Sequence, residues 1–219
     1  MRFNPLCKGF FLLFLFISFH SLLAQDIKWA PSGNAFFQIR EGQILKVNLP
    51  EQNSEVFVST TDLTPSGKSP LQIRDFTFSQ NNQKLLIYTN TKRVWRLDTQ
   101  GDYWVLDLNT KMLQQAGKGL PESSLRFAKL SPDASKIAYV SEFNLYVEDL
   151  TSGQITKLTK DGNRKLINGT FDWAYEEEFA CRDGFQWSPD SQKISFWQID
   201  ANQIRDYYMM NFTDSVYSQ

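Results

Sequence analysis

The chain has 219 residues, 23 Lys plus Arg against 24 Asp plus Glu and 42% hydrophobic residues, enough to bury a sizeable core. A net charge of −1 and the absence of a basic cluster exclude a phosphate-binding surface, so no nucleic acid partner is expected. The only histidine is His20 and the only cysteines are Cys7 and Cys181.

In chain order, Arg2 and Lys8 precede an apolar run from Phe10 to Phe19 and a small-residue end at Ser21 to Ala24. This pattern predicts a secretory signal peptide over 1–24, with cleavage after Ala24 and a secreted or periplasmic product; an uncleaved anchor is the alternative. No later stretch reaches the roughly 18 apolar residues of a spanning helix, so no membrane contact is expected after cleavage. Removing 1–24 takes His20 and Cys7 with it. Residues 25–219 then hold no histidine for a Ser-His-Asp triad or a His-containing zinc site, and the single thiol of Cys181 allows no internal disulfide. No G-x-S-x-G elbow or glycine-rich phosphate loop occurs either. No catalytic residue, metal ligand or cofactor is assigned.

From residue 29 onward one short pattern returns four times: an aromatic or apolar lead-in, a Ser-Pro-Asp-like turn, a polar pair and a β-branched or aromatic strand. The copies are Trp29-Ala30-Pro31-Ser32-Gly33, Phe78-Ser79-Gln80-Asn81-Asn82, Leu130-Ser131-Pro132-Asp133 and Trp187-Ser188-Pro189-Asp190. With positions 30, 79, 131 and 188 equivalent, a repeat of about 50 residues points to the blades of a β-propeller rather than a β-sandwich. The third copy outlines a whole blade: Leu125 to Leu130, Lys136 to Val140, Asn144 to Leu150 and Ile155 to Thr159, with Gly153 in the last hairpin turn. The fold class is therefore all-β, a partial propeller of about four four-stranded blades.

Two stretches carry more chain than that plain blade needs, and function tends to sit in such excursions. One joins Lys84 to Tyr88 with Tyr103 to Leu106 and contains Lys92-Arg93-Val94-Trp95-Arg96, followed by Asp98 and Asp102. Arg96 is readable either as a surface ion pair beside Trp95 or as a planar donor fork for a carbonyl or carboxylate. The other, 160–184, holds Phe171-Asp172-Trp173-Ala174-Tyr175-Glu176-Glu177-Glu178-Phe179, three adjacent acids enclosed by aromatics. It is readable as a solvated acidic patch on a short helix or as a cation site, in which mutual repulsion is relieved when a cation arrives.

The run Asn168 to Phe179, followed by Trp187-Ser188-Pro189, resembles the glutamate-bearing segment of the dipeptidyl peptidase IV family, in its bacterial form. Trp95-Arg96 and the strand from Tyr103 to Leu108 are similar to the family's Trp-Arg pair and the strand after it, whereas Leu97 to Asp102 depart from its His-Ser-Tyr pattern. The resemblance implies an eight-bladed propeller capping an α/β-hydrolase domain that together remove dipeptides from peptide N-termini. It further implies that Glu177 and Glu178 bind the substrate's ammonium group, that Arg96 holds a carbonyl of the same dipeptide, and that a full-length enzyme is able to form a homodimer. With the chain ending at Gln219, the expectation is the N-terminal part of such a propeller, 25–219, inactive without a C-terminal hydrolase domain. The alternative is a stand-alone propeller that serves as a binding or scaffold module. Asn168-Gly169-Thr170 and Asn211-Phe212-Thr213 also match glycosylation sequons.

Overall fold

The computed structural model describes residues 27–208, and the predicted leader and the Asn211 sequon lie outside them. Three antiparallel four-stranded sheets follow one another along the chain. The first contains β1 (Lys28–Trp29), β2 (Ala35–Arg40), β3 (Gln43–Asn48) and β4 (Ser54–Val58); the second, β5 (Ile73–Phe78), β6 (Lys84–Val94), β7 (Leu97–Asp107) and β8 (Leu113–Gln115). The third contains β9 (Arg126–Leu130), β10 (Lys136–Ser141), β11 (Asn144–Asp149) and β12 (Ile155–Lys157), close to the boundaries read from the sequence. After β13 (Leu166–Asn168) and a helix, α1 (Trp173–Phe179), a fourth blade begins with β14 (Phe185–Trp187) against β15 (Ile194–Phe196); β16 (Gln198–Asp200) continues past Trp197 to pair with β13. The described chain is thus three complete blades and the opening strands of a fourth.

The repeated turn has one hydrogen-bonding pattern in all four blades. The N–H groups of Ala30, Ser79, Ser131 and Ser188 donate to the carbonyls of Ala35, Lys84, Lys136 and Lys193 at 2.9, 2.9, 2.8 and 2.8 Å. Their own carbonyls accept from Gly33, Asn82, Ala134 and Ser191, the residues that turn the chain back with φ of 72°, 55°, 58° and 61°. In three copies a serine hydroxyl completes the turn: Ser79, Ser131 and Ser188 accept from the N–H of Lys84, Lys136 and Lys193 at 2.9, 2.9 and 2.8 Å and donate to Asn81, Asp133 and Asp190. The Ser-Pro-Asp signal is therefore a side-chain-closed turn, the local bonding that Ser and Asp offer a backbone. The hydroxyl of Ser131 and the amide and hydroxyl of Ser135 pull the carboxyl of Asp133 down to about 2. Because this value is depressed, the turn's ionic contribution is complete above the ordinary carboxylate value of about 3.9 and is lost as pH falls through about 2.

Ser131→Ala should lower unfolding stability by about 0.5–1.5 kcal/mol in urea titration, since it strips the half-buried Lys136 N–H of its side-chain acceptor. It should also flatten the loss of stability between pH 4 and pH 2. An unchanged urea midpoint would show that the turn closes without its hydroxyl.

Each core lies between consecutive blades. Ala35, Phe37, Ile44 and Val58 of the first meet Phe76, Leu85, Ile87, Trp104 and Leu106 of the second. Leu86, Tyr103 and Val105, one residue out of step, face the opposite way onto Ile137, Tyr139 and Tyr146 of the third. Ala138, Val140 and Leu145 then face Phe185 and Trp187 of the fourth. The period of two in β10 and β11 consequently separates one neighbouring blade from the other, not core from solvent, and β10 is buried from Ile137 to Ser141. The carboxylate of Glu148, also inside, accepts from the Gly117 N–H at 2.8 Å and from Tyr139 Oη at 3.1 Å; burial pushes its pKa up.

Candidate recognition site

The first excursion is a hairpin arm made of the blade's own strands. From Lys84↔Asp107 to Thr89↔Asp102, β6 and β7 pair in the blade; the register then slips twice before Arg93↔Asp98 and Val94↔Leu97 close the tip. Trp95 takes a positive φ of 54° there, which turns Arg96 outward. The phenol of Tyr88 shares its single proton between the carbonyls of Gln100 at 2.7 Å and Asp98 at 2.9 Å, holding β7 of the arm to β6. Burial pushes this phenol up to about 12, so it remains a donor at neutral pH.

The second excursion stands on a backbone junction. The Gly169 N–H donates to the Trp197 carbonyl at 2.9 Å, Trp197 to Gly184 at 2.8 Å, and Gly184 back to Gly169 at 3.1 Å, with a bridge between Thr170 and Asp183 above them. α1 starts at Asp172, whose carboxylate caps the Tyr175 N–H at 3.0 Å, and ends at Ala180 in the left-handed region. Phe171, Tyr175 and Phe179 form a ladder with ring centroids 5.6 and 5.8 Å apart, and Phe171 meets Trp197 at 6.2 Å. Phe171, which is buried, thus ties the start of the helix to Trp197, while Trp173, Tyr175 and Phe179, which flank the acids, are exposed.

Successive helical residues point about 100° apart, and the three glutamates enter three environments. Glu176 is 4% exposed and lies 3.9 Å from Arg182 Nε. Burial raises its pKa, while Arg126 at the start of β9 and Arg182 pull it back. Glu176 Oε1 and Arg182 Nε make no hydrogen bond, so long-range attraction balances this buried charge. The Glu177 side chain is 6% exposed and takes Arg96 Nε on its Oε2 at 2.5 Å, although Arg96 itself is 79% exposed. Glu178 faces solvent. The acidic run is therefore not a uniformly solvated patch, and the structure brings together two of the predicted site residues, Arg96 and Glu177, with Glu178 next along the helix. Sequence reasoning missed Arg126 and Arg182. The one available signal was an arginine following the acids closely in the same excursion.

Asn168 is fully buried at the foot of this site, its amide donating to Phe143 O at 3.2 Å and Asp161 Oδ1 at 3.0 Å. A glycosylating host should leave it unmodified, because transfer requires an exposed asparagine. Peptide mass mapping should find Asn168 bare, and a glycan there would mean that this junction forms after modification.

Comparison with known proteins fits this architecture. The family described as the dipeptidyl peptidase IV (DPP IV) N-terminal region matches residues 79–219. "Probable dipeptidyl-aminopeptidase B" of Penicillium rubens is 27% identical over 180 residues, covering 82% of this chain and 20% of its own length. Dipeptidyl-aminopeptidase B of Aspergillus niger is 26% identical over 176 residues, covering 80% and 19%. The crystal structure of Porphyromonas gingivalis dipeptidyl peptidase 4 superposes with a TM-score of 0.76 at 20% identity, over 89% of this chain and 28% of that one. The chain spans about a fifth of the length of the curated relatives it matches.

Proposed function

Since the chain belongs to the dipeptidyl peptidase IV N-terminal region family, we propose that residues 25–219 are the substrate-recognising part of the propeller of a secreted serine-type dipeptidyl peptidase. In this reading Glu177 and Glu178 receive the free ammonium group of a peptide and Arg96 holds a carbonyl of the same N-terminal dipeptide. Residues 1–24 direct secretion, and the peptide bond is cut by a hydrolase domain that these 219 residues do not include.

The observation that carries the proposal is the contact between the tip of the arm and α1, which places a guanidinium on a largely buried carboxylate. An α-amine with a pKa of about 7.7–8.0 is mostly cationic at neutral pH and competes for the same carboxylate oxygen. As the amine takes Glu177, the exposed guanidinium is released toward the substrate carbonyl, where its planar fork serves as a donor. Anions held at a fixed distance from a nucleophile then measure the length of the fragment removed. A peptide with a blocked N-terminus lacks the competing charge.

Calorimetric titration of the chain with Gly-Pro and with N-acetyl-Gly-Pro tests this. The free dipeptide should bind saturably and the acetylated one should not; equal binding of both would sink the assignment of the glutamates. Gly-Pro p-nitroanilide should not be turned over by these 219 residues alone, which contain neither the elbow motif nor a histidine beyond His20. Turnover that persists through repurification would overturn the assignment of chemistry to another domain.

A further inference from the structure

An isolated two-stranded hairpin is marginally stable, and an ion pair with one highly exposed partner adds little. The aim of the arm at α1 must therefore be set at its base. There the register breaks just beyond Thr89↔Asp102, and Asn90 takes a left-handed φ of 47°. The Asp102 carboxylate, 9% exposed, has both oxygens engaged: Oδ2 accepts from Asn90 Nδ2 at 2.7 Å and Oδ1 from the Ser123 N–H at 2.8 Å. Asn90 Nδ2 also donates to Glu122 Oε1 at 2.9 Å, and Ser123 Oγ donates to the Asn90 carbonyl at 2.7 Å. One residue away, Gly101 and Leu125 exchange backbone hydrogen bonds at 3.0 and 3.2 Å. A Cβ at Gly101 would run into the Tyr88 ring and meet the Thr89 carbonyl at 2.7 Å.

We infer that Asp102 is a positioning residue, the bolt of an elbow that locks the arm to the segment entering the third blade and so aims Arg96 at Glu177. The excursion that carries α1 is tied to the blade that β9 opens: at its foot the Asn168 N–H and side-chain amide both donate to the Phe143 carbonyl, between β10 and β11, at 3.1 and 3.2 Å. The elbow and the helix are thereby referenced to the same blade, and their separation is fixed through a rigid sheet. Without Asp102, the Ser123 N–H and the Asn90 amide lose their shared acceptor, and the double register slip becomes a hinge.

The inference rests on the proposed reading only for its consequence in binding, and two measurements keep the two apart. In the full chain carrying Cys7→Ser and Cys181→Ser, spin labels at Leu97→Cys and Phe179→Cys report the distance from arm to helix. The unmodified elbow should give one narrow distance distribution. Asp102→Ala should broaden it, as should Asn90→Gly, which keeps the left-handed backbone comfortable and removes only the side-chain bolt. Arg96→Ala should leave it narrow. Unchanged width in both elbow variants, or equal broadening from Arg96→Ala alone, would overturn the inference. For Gly-Pro binding, Arg96→Ala and Asp102→Ala should each weaken affinity about tenfold, the scale of one hydrogen bond to a charged group, and the double variant no further. Additive losses would remove Asp102 from the path through Arg96 and would also overturn it. If the unmodified chain binds no dipeptide, the substrate reading falls while the distance distributions still decide the role of the elbow.

Discussion

Replacing Glu177 and Glu178 together with Gln should cost the chain at least about 100-fold in affinity for a peptide with a free N-terminus, while its urea unfolding midpoint barely moves. Each lost bond to a charged group is worth about 1.5–3 kcal/mol, so two account for that factor or more. The fold should tolerate the change because Gln keeps the shape of Glu, Glu178 faces solvent, and the partner of Glu177 is an arginine already 79% exposed, which water can satisfy. Glu176→Gln should do the opposite. The residue is 4% exposed and its carboxylate lies 3.9 Å from Arg182 Nε, a buried atom of a side chain that is itself 39% exposed, so the loss of its charge should cost about 1–3 kcal/mol. Titration with Gly-Pro and urea unfolding, run on both variants, separate the two roles. A Glu177→Gln, Glu178→Gln chain that still binds the free dipeptide normally would remove these residues from recognition, and a Glu176→Gln chain of unchanged stability would remove that residue from the anchor.

The blade repeat was legible in the sequence because its determinants are local. The equivalence of Ala30, Ser79, Ser131 and Ser188 is a matter of which N–H meets which carbonyl within six residues, and Ser, Asp, Asn and Gly report such turns directly. The strands of the third blade were legible for the same reason, being short, regular and bounded by turns. The arm was visible only as surplus chain between Tyr88 and Tyr103. That it continues β6 and β7, bent at Asn90, depends on a clasp to Glu122 and Ser123, far along the sequence. The acidic run shows the limit most clearly. Glu176, Glu177 and Glu178 are the same residue three times over, and only the helical step and the arginines brought in from β6–β7, β9 and the excursion's return make one an anchor, one an ion-pair partner and one a free charge. The Asn168 sequon misleads for the converse reason: its three letters are local, but its burial comes from Phe143 and Asp161.

Gly184→Ala should be among the most damaging single-methyl changes in the chain, and it should disable recognition by lifting α1 rather than by touching it. A Cβ at Gly184 would lie 2.9 Å from the Gly169 carbonyl carbon, 3.0 Å from its oxygen and 3.0 Å from the Thr170 nitrogen, all backbone atoms of the facing segment after β13. No rotamer change relieves contacts of that kind, so the junction through Gly169, Gly184 and Trp197 has to open. The cost is expected at about 3 kcal/mol, the upper end of overpacking penalties. Gly153→Ala supplies the contrast. Its φ is +70°, so alanine is strained there by about 1–2 kcal/mol, but nothing lies within 4 Å of the added methyl. Amide exchange should distinguish the two variants. In Gly184→Ala, protection should be lost across residues 169–184 and retained in β5–β8, where the contacting core comes from the first and third blades. In Gly153→Ala the loss should stay within the β11–β12 turn. Dipeptide affinity should fall with the first variant only, because Glu177 and Glu178 ride on the segment that the glycine junction closes. Full protection of 169–184 in Gly184→Ala would show that the sheet absorbs a methyl at that point, and the placement of α1 would then have to be credited to its aromatic ladder alone.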